Sequence, residues 1–386
     1  MTKPIRLSKS TVGEREAEAL AHVIEDGRLG MGSSVEKFEK ELEGFIGGGR
    51  RVLCVNTGTA ALHLAVQACG IGAGDEVLVP TITYIASFQA VSATGATPVA
   101  CDVDPRTLCL DAADAARRIT SRTRAIMPVH YASGQGDLDG VYELARRRGL
   151  RVIEDAAHAF GGYWKGARVG ATGDVVCFSF DGIKNITSGE GGAVVTSDEE
   201  VARRISDARL LGVEKDADKR YQGQRSWEFD ATAQGWRYHM SNLMAAIGRV
   251  QLQRLDGEFA PRRIALAMRY ERLLAGAPNI QTLGLEYGRV VPHIFPVLFG
   301  SGLRDTVRQA LIADAIECGI HYKPNHLLSL YGGGSVRLPV AEDAYARMLT
   351  LPLHVDLTED EQDRVVDIVL NHCRRAAEEI PSACHA

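Results

Sequence analysis

Residues 174–196 read Asp-Val-Val-Cys-Phe-Ser-Phe-Asp-Gly-Ile-Lys-Asn-Ile-Thr-Ser-Gly-Glu-Gly-Gly-Ala-Val-Val-Thr, two short apolar runs joined by a glycine-studded turn that carries one lysine. Each run has strand length and is rich in β-branched or aromatic residues, as a strand buried on both faces requires. The lysine is the odd member. The chain has 44 lysines and arginines, but the lysines are only 3, 9, 37, 40, 165, 184, 215, 219 and 323. Arginine is therefore the ordinary cation here, and Lys184 beside buried-looking sequence needs a reason.

Working outward, similar apolar runs stand at 51–55, 76–80, 97–102, 124–129 and 151–155, alternating with helix-like segments. That alternation predicts an α/β sheet covered on both faces. Residues 59–69 are rich in Ala and Leu and stop at Gly70, and residues 140–148 stop at Gly149, so both read as helices. Near residue 250 the pattern changes. Residues 240–255 and 261–275 read as two long helices, strand-like pieces lie around 291–299, and a helix is predicted over 303–318. A closing helix follows the capping pattern Thr358-Glu-Asp-Glu361. We expect a large domain over residues 1–250, including the N-terminal segment, and a smaller α+β domain over 251–386.

With 386 residues and 45% apolar composition the chain can bury a large core. A formal net charge of -5 and short basic runs such as Arg146-Arg-Arg148 give no nucleic-acid footprint. The start MTKPIRLSKS has charges with no apolar stretch behind it, and no segment approaches a membrane span of about 20 apolar residues. The eight cysteines (54, 69, 101, 109, 177, 318, 373, 384) are scattered, several inside apolar runs, and read as small buried hydrophobes of a cytoplasmic protein.

Three stretches could carry chemistry. Asp155 ends the run Arg151-Val-Ile-Glu-Asp155, where ligands bind in open α/β sheets. A carboxylate there can hold a metal, accept from a ribose, or pair with a protonated ring nitrogen, and it can equally cap a following helix. Val55-Asn-Thr-Gly-Thr-Ala60 is a strand end, a turn and a helix start, whose N–H groups and Thr hydroxyls can cradle a phosphate or simply cap the helix. Ser179 ends the strand before Lys184: a hydroxyl can hold phosphate while the amine forms a Schiff base with a carbonyl. Against this, Lys184 could be a snorkelling surface residue, and Gly189, Gly191 and Gly192 are assigned to the turn. Together, the lysine, the acid and the phosphate cradle fit a pyridoxal phosphate site, with the acid keeping the ring nitrogen protonated as an electron sink.

The chain resembles the DegT/DnrJ/EryC1/StrS family of nucleotide-sugar aminotransferases. The matching stretches run nearly end to end: Gly30-Met-Gly32, Asn56-Thr-Gly-Thr-Ala-Ala-Leu62, Val79-Pro-Thr-Ile-Thr-Tyr84, Pro128-Val-His130, Glu154-Asp-Ala-Ala-His158, Phe178-Ser-Phe180 with Lys184 and Gly189-Glu-Gly-Gly192, His321-Tyr322 with Pro324 and His326, and Leu351-Pro-Leu-His354. The resemblance implies the fold type I architecture of the aspartate aminotransferase group, with a mainly parallel seven-stranded sheet. It implies pyridoxal 5'-phosphate as cofactor, pyridoxamine 5'-phosphate as its intermediate form, and transfer from an amino acid, expected to be L-glutamate, to a nucleotide-linked keto-sugar, with 4-keto favoured over 3-keto. By the same resemblance Lys184 carries the cofactor and shuttles the proton, Asp155 pairs with the ring nitrogen, His158 contacts the ring hydroxyl, Tyr84 stacks on the ring, and Thr57, Gly58, Thr59 and Ser179 hold the phosphate. A homodimer with shared active sites is implied too.

One stretch departs from the family. Where it has Gly-aromatic-Asn-Tyr-Arg-Met, with an Asn reaching the partner's cofactor phosphate, this chain has Gly235-Trp-Arg-Tyr-His-Met240. Arg237 can replace that Asn as a charge-assisted donor, or meet the substrate diphosphate or a surface carboxylate. Cys318, His321 and His326 offer only three ligands on one loop, so no metal site is expected. The resemblance puts His321, Lys323 and His326 on the substrate side, the alternative being structural hydrogen bonds. Sugar dehydratases of the same family have histidine where Lys184 stands, which argues against dehydration. A regulatory, non-enzymatic member would lack cofactor contacts or add a basic helix-turn-helix, and neither is seen.

Overall fold

The computed structural model describes residues 3–378. Seven strands make the main sheet: β1 (Arg51–Val55), β2 (Glu76–Pro80), β3 (Thr97–Cys101), β4 (Thr123–Ile126), β5 (Arg151–Asp155) and, after the small hairpin β6 (Tyr163–Trp164) and β7 (Ala167–Arg168), β8 (Val175–Ser179) and β9 (Gly192–Thr196). Their order is β1-β9-β8-β5-β4-β2-β3. Only β9 runs against its neighbours. This is the mainly parallel α/β sheet that the apolar runs predict. Alternate residues of the runs feed two cores, Val52, Cys54, Val176 and Phe178 on one face and Leu53, Val55, Val175 and Cys177 on the other. Because β1, β8 and β5 are parallel, their carboxyl ends share one edge, and the reversed β9 starts at that same edge.

Two helices, α1 (Glu14–Asp26) and α2 (Ser33–Ile46), precede β1. β1 is an edge strand, and an open edge would leave unpaired N–H and C=O groups. Here α2 closes it with side chains. Val52 N donates to Glu43 Oε1 (3.2 Å) and Cys54 N to Glu39 Oε1 (2.7 Å), while Arg209 donates to the Cys54 carbonyl (2.8 Å) and to Glu39. Tyr221 bridges the same pair, accepting from Arg209 and donating to Glu39, each at 2.6 Å. Arg209 is 1% exposed, so its charge is stabilised almost wholly by these contacts.

Three further strands, β10 (Ile280–Thr282), β11 (Phe295–Phe299) and β12 (Met348–Leu351), form an antiparallel sheet. The helix expected at 240–255 is Asn242–Arg254, and it continues through a π turn at Leu255–Phe259 into Ala260–Leu274. Pro261 lies in the first turn of that second helix. It has no N–H and crowds the preceding turn, and the widened π turn absorbs the defect. The closing helix Glu359–Glu378 keeps its capping box, Thr358 N to Glu361 Oε2 at 3.0 Å and Glu361 N to Thr358 Oγ1 at 3.2 Å.

The helix predicted over 303–318 stops at Ala313. It ends in a left-handed turn, with Ala315 at φ +56° and Ile316 N donating to Leu311 O (2.9 Å), and the chain beyond pairs with a distant residue: Ile5 N donates to Ala315 O (3.0 Å) and Glu317 N to Ile5 O (2.9 Å). The segment after Ile5 is stitched down further by Leu353 N to Leu7 O (3.0 Å), Lys9 to Asp356 (2.5 Å) and the Ser10 hydroxyl to the Gly182 carbonyl. Among the described residues, no helix is long and apolar enough to cross a membrane. The seven described cysteines are unpaired, most of them buried, and Cys384 lies outside the described residues.

Replacing Glu39 with alanine leaves a buried guanidinium and a strand N–H without their acceptor. We expect Glu39→Ala to lower unfolding free energy by about 3–5 kcal/mol, read from urea denaturation.

Candidate active site

A cleft of about 450 Å³ opens at the edge where β1, β5, β8 and β9 meet. β1 leads through Thr57 into α3 (Gly58–Ala68), and Thr57 Oγ1 caps that helix by accepting from Ala60 N at 3.0 Å. The N–H groups of Gly58 and Thr59 have no acceptor among the described residues, as the first turn of a helix dictates. Ser179 lies against them from the end of β8. A Cβ on Gly58 would stand 2.8 Å from Ser179 Cβ, and a Cβ on Gly192 would stand 2.5 Å from the Thr57 carbonyl oxygen. The turn can settle on the sheet only because both positions lack a side chain. Free N–H groups, a helix start and a hydroxyl together form an anion cradle. Gly189, at φ +80°, does the turning that the sequence assigns to all the glycines, whereas Gly192 serves this close approach.

Asp155 forms the opposite side. It is buried, with Oδ2 accepting from Ser87 Oγ at 2.7 Å and Oδ1 from Ala157 N at 3.2 Å. Ser87 belongs to α4 (Ile85–Ser92) and is itself steadied by Thr83 Oγ1 at 2.8 Å. Each hydrogen bond to a charged acceptor is worth about 1.5–3 kcal/mol, which offsets part of the cost of burying the carboxylate. No helix follows Asp155, so the capping alternative reduces to a single turn.

Lys184 sits on the loop between β8 and β9. Ser188 N donates to Phe180 O (2.9 Å), and Asn185 Nδ2 donates to Phe160 O (3.0 Å) and Val291 O (2.9 Å), which pins the backbone on both sides of the lysine. The side chain is not a snorkelling one. Although it keeps some exposure to the cleft, protein surrounds it, and that burial pulls its ammonium down from 10.5 to about 8 against the opposing pull of Asp155 and Asp181. Nζ lies 3.3 Å from His293 Nε2.

His158 also lines the cleft, its Nε2 3.1 Å from Tyr322 Oη. Burial first and the neighbouring Lys184 second hold it well below the usual histidine range, so it is neutral near pH 7. Tyr84 is 60% exposed and leans on Tyr322 with ring centroids 5.7 Å apart, which rules out a core role. His321 lines the cleft as well, but its Nδ1 is engaged by Thr350 Oγ1 at 2.9 Å, and burial pulls it down to about 4.

The other predicted residues lie outside the cleft wall. His326 is buried with Nδ1 on Thr81 Oγ1 (2.8 Å) and Nε2 near Glu342 Oε1 (3.4 Å), so both ring nitrogens are used within the chain. Lys323 and Arg237 are exposed. The chain around Arg237 is fixed by its carbonyl, which accepts from Asn56 Nδ2 at 3.3 Å. Sequence reasoning missed Ser87, His293 and Tyr322. Ser87 had a usable signal, one helical turn after Tyr84, but His293 is 109 residues from the lysine it touches and had none.

Residues 10–370 match the model of the DegT/DnrJ/EryC1/StrS aminotransferase family, and the chain belongs to that family. It is 43% identical over 344 residues to a GDP-perosamine synthase of Caulobacter vibrioides, covering 87% of this chain and 89% of that one. It is 36% identical over 368 residues to a dTDP-4-dehydro-2,3,6-trideoxy-D-glucose 4-aminotransferase of Saccharopolyspora spinosa, covering 94% and 95%. Among solved structures, the putative sugar aminotransferase Spr1654 of Streptococcus pneumoniae in its PLP-form superposes with a TM-score of 0.88 at 27% identity, covering 97% of this chain and 99% of that one.

Gly192→Ala forces a methyl group into the Thr57 carbonyl. We expect it to cost about 1–3 kcal/mol of stability, measured by denaturant unfolding, because the obstruction is backbone and cannot rotate away.

Proposed function

We propose that the chain transfers an amino group from L-glutamate to the C4 keto group of a nucleotide-linked sugar, using pyridoxal 5'-phosphate and passing through pyridoxamine 5'-phosphate. The observation that carries this reading is a desolvated amine, Lys184, sharing one cleft with the anchored Asp155 carboxylate and an anion cradle. The residues fit the cofactor. The cradle of Gly58, Thr59 and Ser179 suits a phosphate. Asp155, with two hydrogen bonds already accepted, keeps lone pairs for a protonated ring nitrogen. Tyr84 offers an open ring face, and neutral His158 offers a polar contact for the ring hydroxyl. When bound, the cofactor supplies an aldehyde carbon that takes up amines and a protonated ring that accepts the electrons left when a proton departs.

The chain's own part is proton handling and orientation. At pH 7 an amine with its midpoint near 8 is unprotonated in about one molecule in ten, against about three in ten thousand at the ordinary lysine value. Lys184 Nζ can therefore attack a carbonyl, and, once displaced, take the proton from the donor's α-carbon and return it on the same face. Asp155 would hold a proton on the ring nitrogen of the bound cofactor. His158 and His293, both neutral, add no competing cation beside the lysine.

The substrate class follows from two relatives, one named for a GDP-linked amino sugar and one for 4-amination of a dTDP-linked sugar. Support for a homodimer comes from exposed apolar side chains on one segment, Leu211, Trp227 and Phe229, close in sequence to the exposed Arg237. In this reading Arg237 serves the partner's cleft, Lys323 and His321 border the sugar phosphates, and His326 holds the loop that carries them. The enzyme works in the cytoplasm and contacts neither nucleic acid nor membrane.

Purified protein should bind pyridoxal phosphate with a visible band that shifts on adding L-glutamate, and a panel of nucleotide keto-sugars should identify the acceptor. A preparation that takes up no cofactor overturns the reading. Lys184→Ala should lose transamination by at least about a thousandfold while keeping a cooperative unfolding transition; near-normal rates would remove Lys184 from the chemistry. Arg237→Ala should weaken retention of cofactor or nucleotide sugar, followed by equilibrium dialysis, with the bound-state rate intact.

A further inference from the structure

His293 meets Lys184 from behind, outside the lining of the cleft, and the way it is held is unusual for a residue of mere packing. Its side chain is 3% exposed, and Nε2 lies 3.3 Å from Lys184 Nζ. The ring rests on His158, with centroids 4.4 Å apart. Its backbone is fixed from two directions. His293 N donates to Ser133 Oγ at 3.1 Å, and that hydroxyl in turn bonds the His158 carbonyl, so one serine sets the spacing of both histidines. Arg263, equally buried, donates to the carbonyls of Pro292 and His293, each at 3.3 Å, and has no carboxylate partner among the described residues.

This arrangement leaves His293 one chemical state. The titratable groups facing it are Lys184, His158, Arg263 and His321, every one neutral or cationic. Burial first, then these neighbours, keep the imidazole well below its usual range and therefore neutral. A neutral imidazole has one acceptor nitrogen and one N–H. Facing an ammonium, which only donates, Nε2 must be the acceptor. Nδ1 then carries the hydrogen, and it has no partner among the described residues, a cost the site bears without evident structural return.

We propose that His293 is a positioning residue for Lys184, its Nε2 accepting the hydrogen bond that aims Nζ into the cleft. This rests on the reading of Lys184 as the reacting amine. The choice of acceptor is what matters. A carboxylate at this distance would hold the lysine proton tightly, by about 1–3 pH units, whereas an uncharged imidazole fixes direction and lets the proton go. Asp155 and Asp181, the carboxylates that do act on Lys184, pull its midpoint up without offsetting the effect of burial.

The test uses the cofactor-free protein and the holoenzyme of His293→Phe, His293→Gln and His293→Glu. In the cofactor-free protein, reductive methylation of Lys184 is followed against pH by mass spectrometry of its peptide. We expect His293→Phe, which keeps a ring but removes the acceptor, to lower the Lys184 midpoint by about one unit, and His293→Glu to raise it by about one unit or more. In the holoenzyme, His293→Phe should lose kcat about ten- to a hundredfold with KM for the amino donor little changed, since a misaimed amine slows chemistry and not binding. His293→Gln, which supplies a neutral acceptor, should recover most of that loss. Midpoints that stay put in both the Phe and Glu variants overturn the proposal, as does a Gln variant no better than Phe. If the Phe variant fails to fold, the opposed behaviour expected of Gln and Glu decides alone. Borohydride reduction of the holoenzyme and peptide mapping keep the two readings apart: cofactor fixed on a residue other than Lys184 defeats the proposed function, while the midpoint shifts judge His293 independently.

Discussion

Gly192 pairs with Val55 of β1 on one side and Ser179 of β8 on the other, and a Cβ there would collide with the backbone of the turn at Thr57 and Gly58. Everything at the working edge of the sheet depends on that missing side chain. The antiparallel β9 is inserted between two parallel strands, so their carboxyl ends are separated by one strand width. Only a bare backbone in the gap lets the helix start after β1 lean across to the hydroxyl at the end of β8. The anion cradle is therefore a property of strand order as much as of the residues in it. Were β9 absent or parallel, Ser179 and Gly58 would not meet in this way.

The electrostatics of the cleft follow from enclosure. Lys184 faces the anchored Asp155, with Asp181 and Glu190 also on the lining, and the histidines around them are kept uncharged by burial. The site thus holds few fixed charges, and those it holds act at close range in a poorly screened space. The contrast with the outer edge of β1 is instructive. There Arg209 and Glu39 are locked together, with both terminal nitrogens of the guanidinium bonded, a structural use of buried charge, whereas Lys184 is left facing a neutral acceptor and an open cavity.

What the sequence reveals and what it hides divide along physical lines. The inner strands of the main sheet are legible because a strand covered on both faces must be continuously apolar, and the half-buried edge strand β3 is legible from the glycine and helix-like segments that bound it. Lys184, Asp155, Ser179 and the Thr57 turn are legible because each sits at a strand end, a position that local pattern defines. The helix 303–318 is overdrawn because its stop is a left-handed turn at Ala315, where no glycine marks it, and the chain beyond pairs with Ile5 at the other end of the sequence. Tyr322 reaches the cleft, and His293 the lysine behind it, from the later chain, and no spacing rule connects them to Lys184. His326 shows the converse hazard, since its residue type and loop suggest a ligand contact while its ring is occupied by Thr81 and Glu342. Gly192 is misread for a different reason. Its role is to avoid a neighbour 135 residues earlier, and a glycine's freedom to turn and its freedom to be approached look identical in one dimension.

The stitched segment that begins at Ile5 imposes an order on synthesis. Leu7 bonds to a residue 310 positions later and Lys9 to one 347 positions later. At about 5–20 residues per second, the segment waits roughly 15 to 60 s on the ribosome before its partners exist. The main sheet can assemble during that interval, since its strands end at Thr196, but its cleft then lacks one wall, because His321 and Tyr322 have not yet been made, nor has His293 behind Lys184. A half-made chain is therefore a sheet with an exposed anion cradle and no means of closing over a ligand. The last hundred residues finish the active site and give the first ten somewhere to go in the same event, so an incomplete chain is left without either.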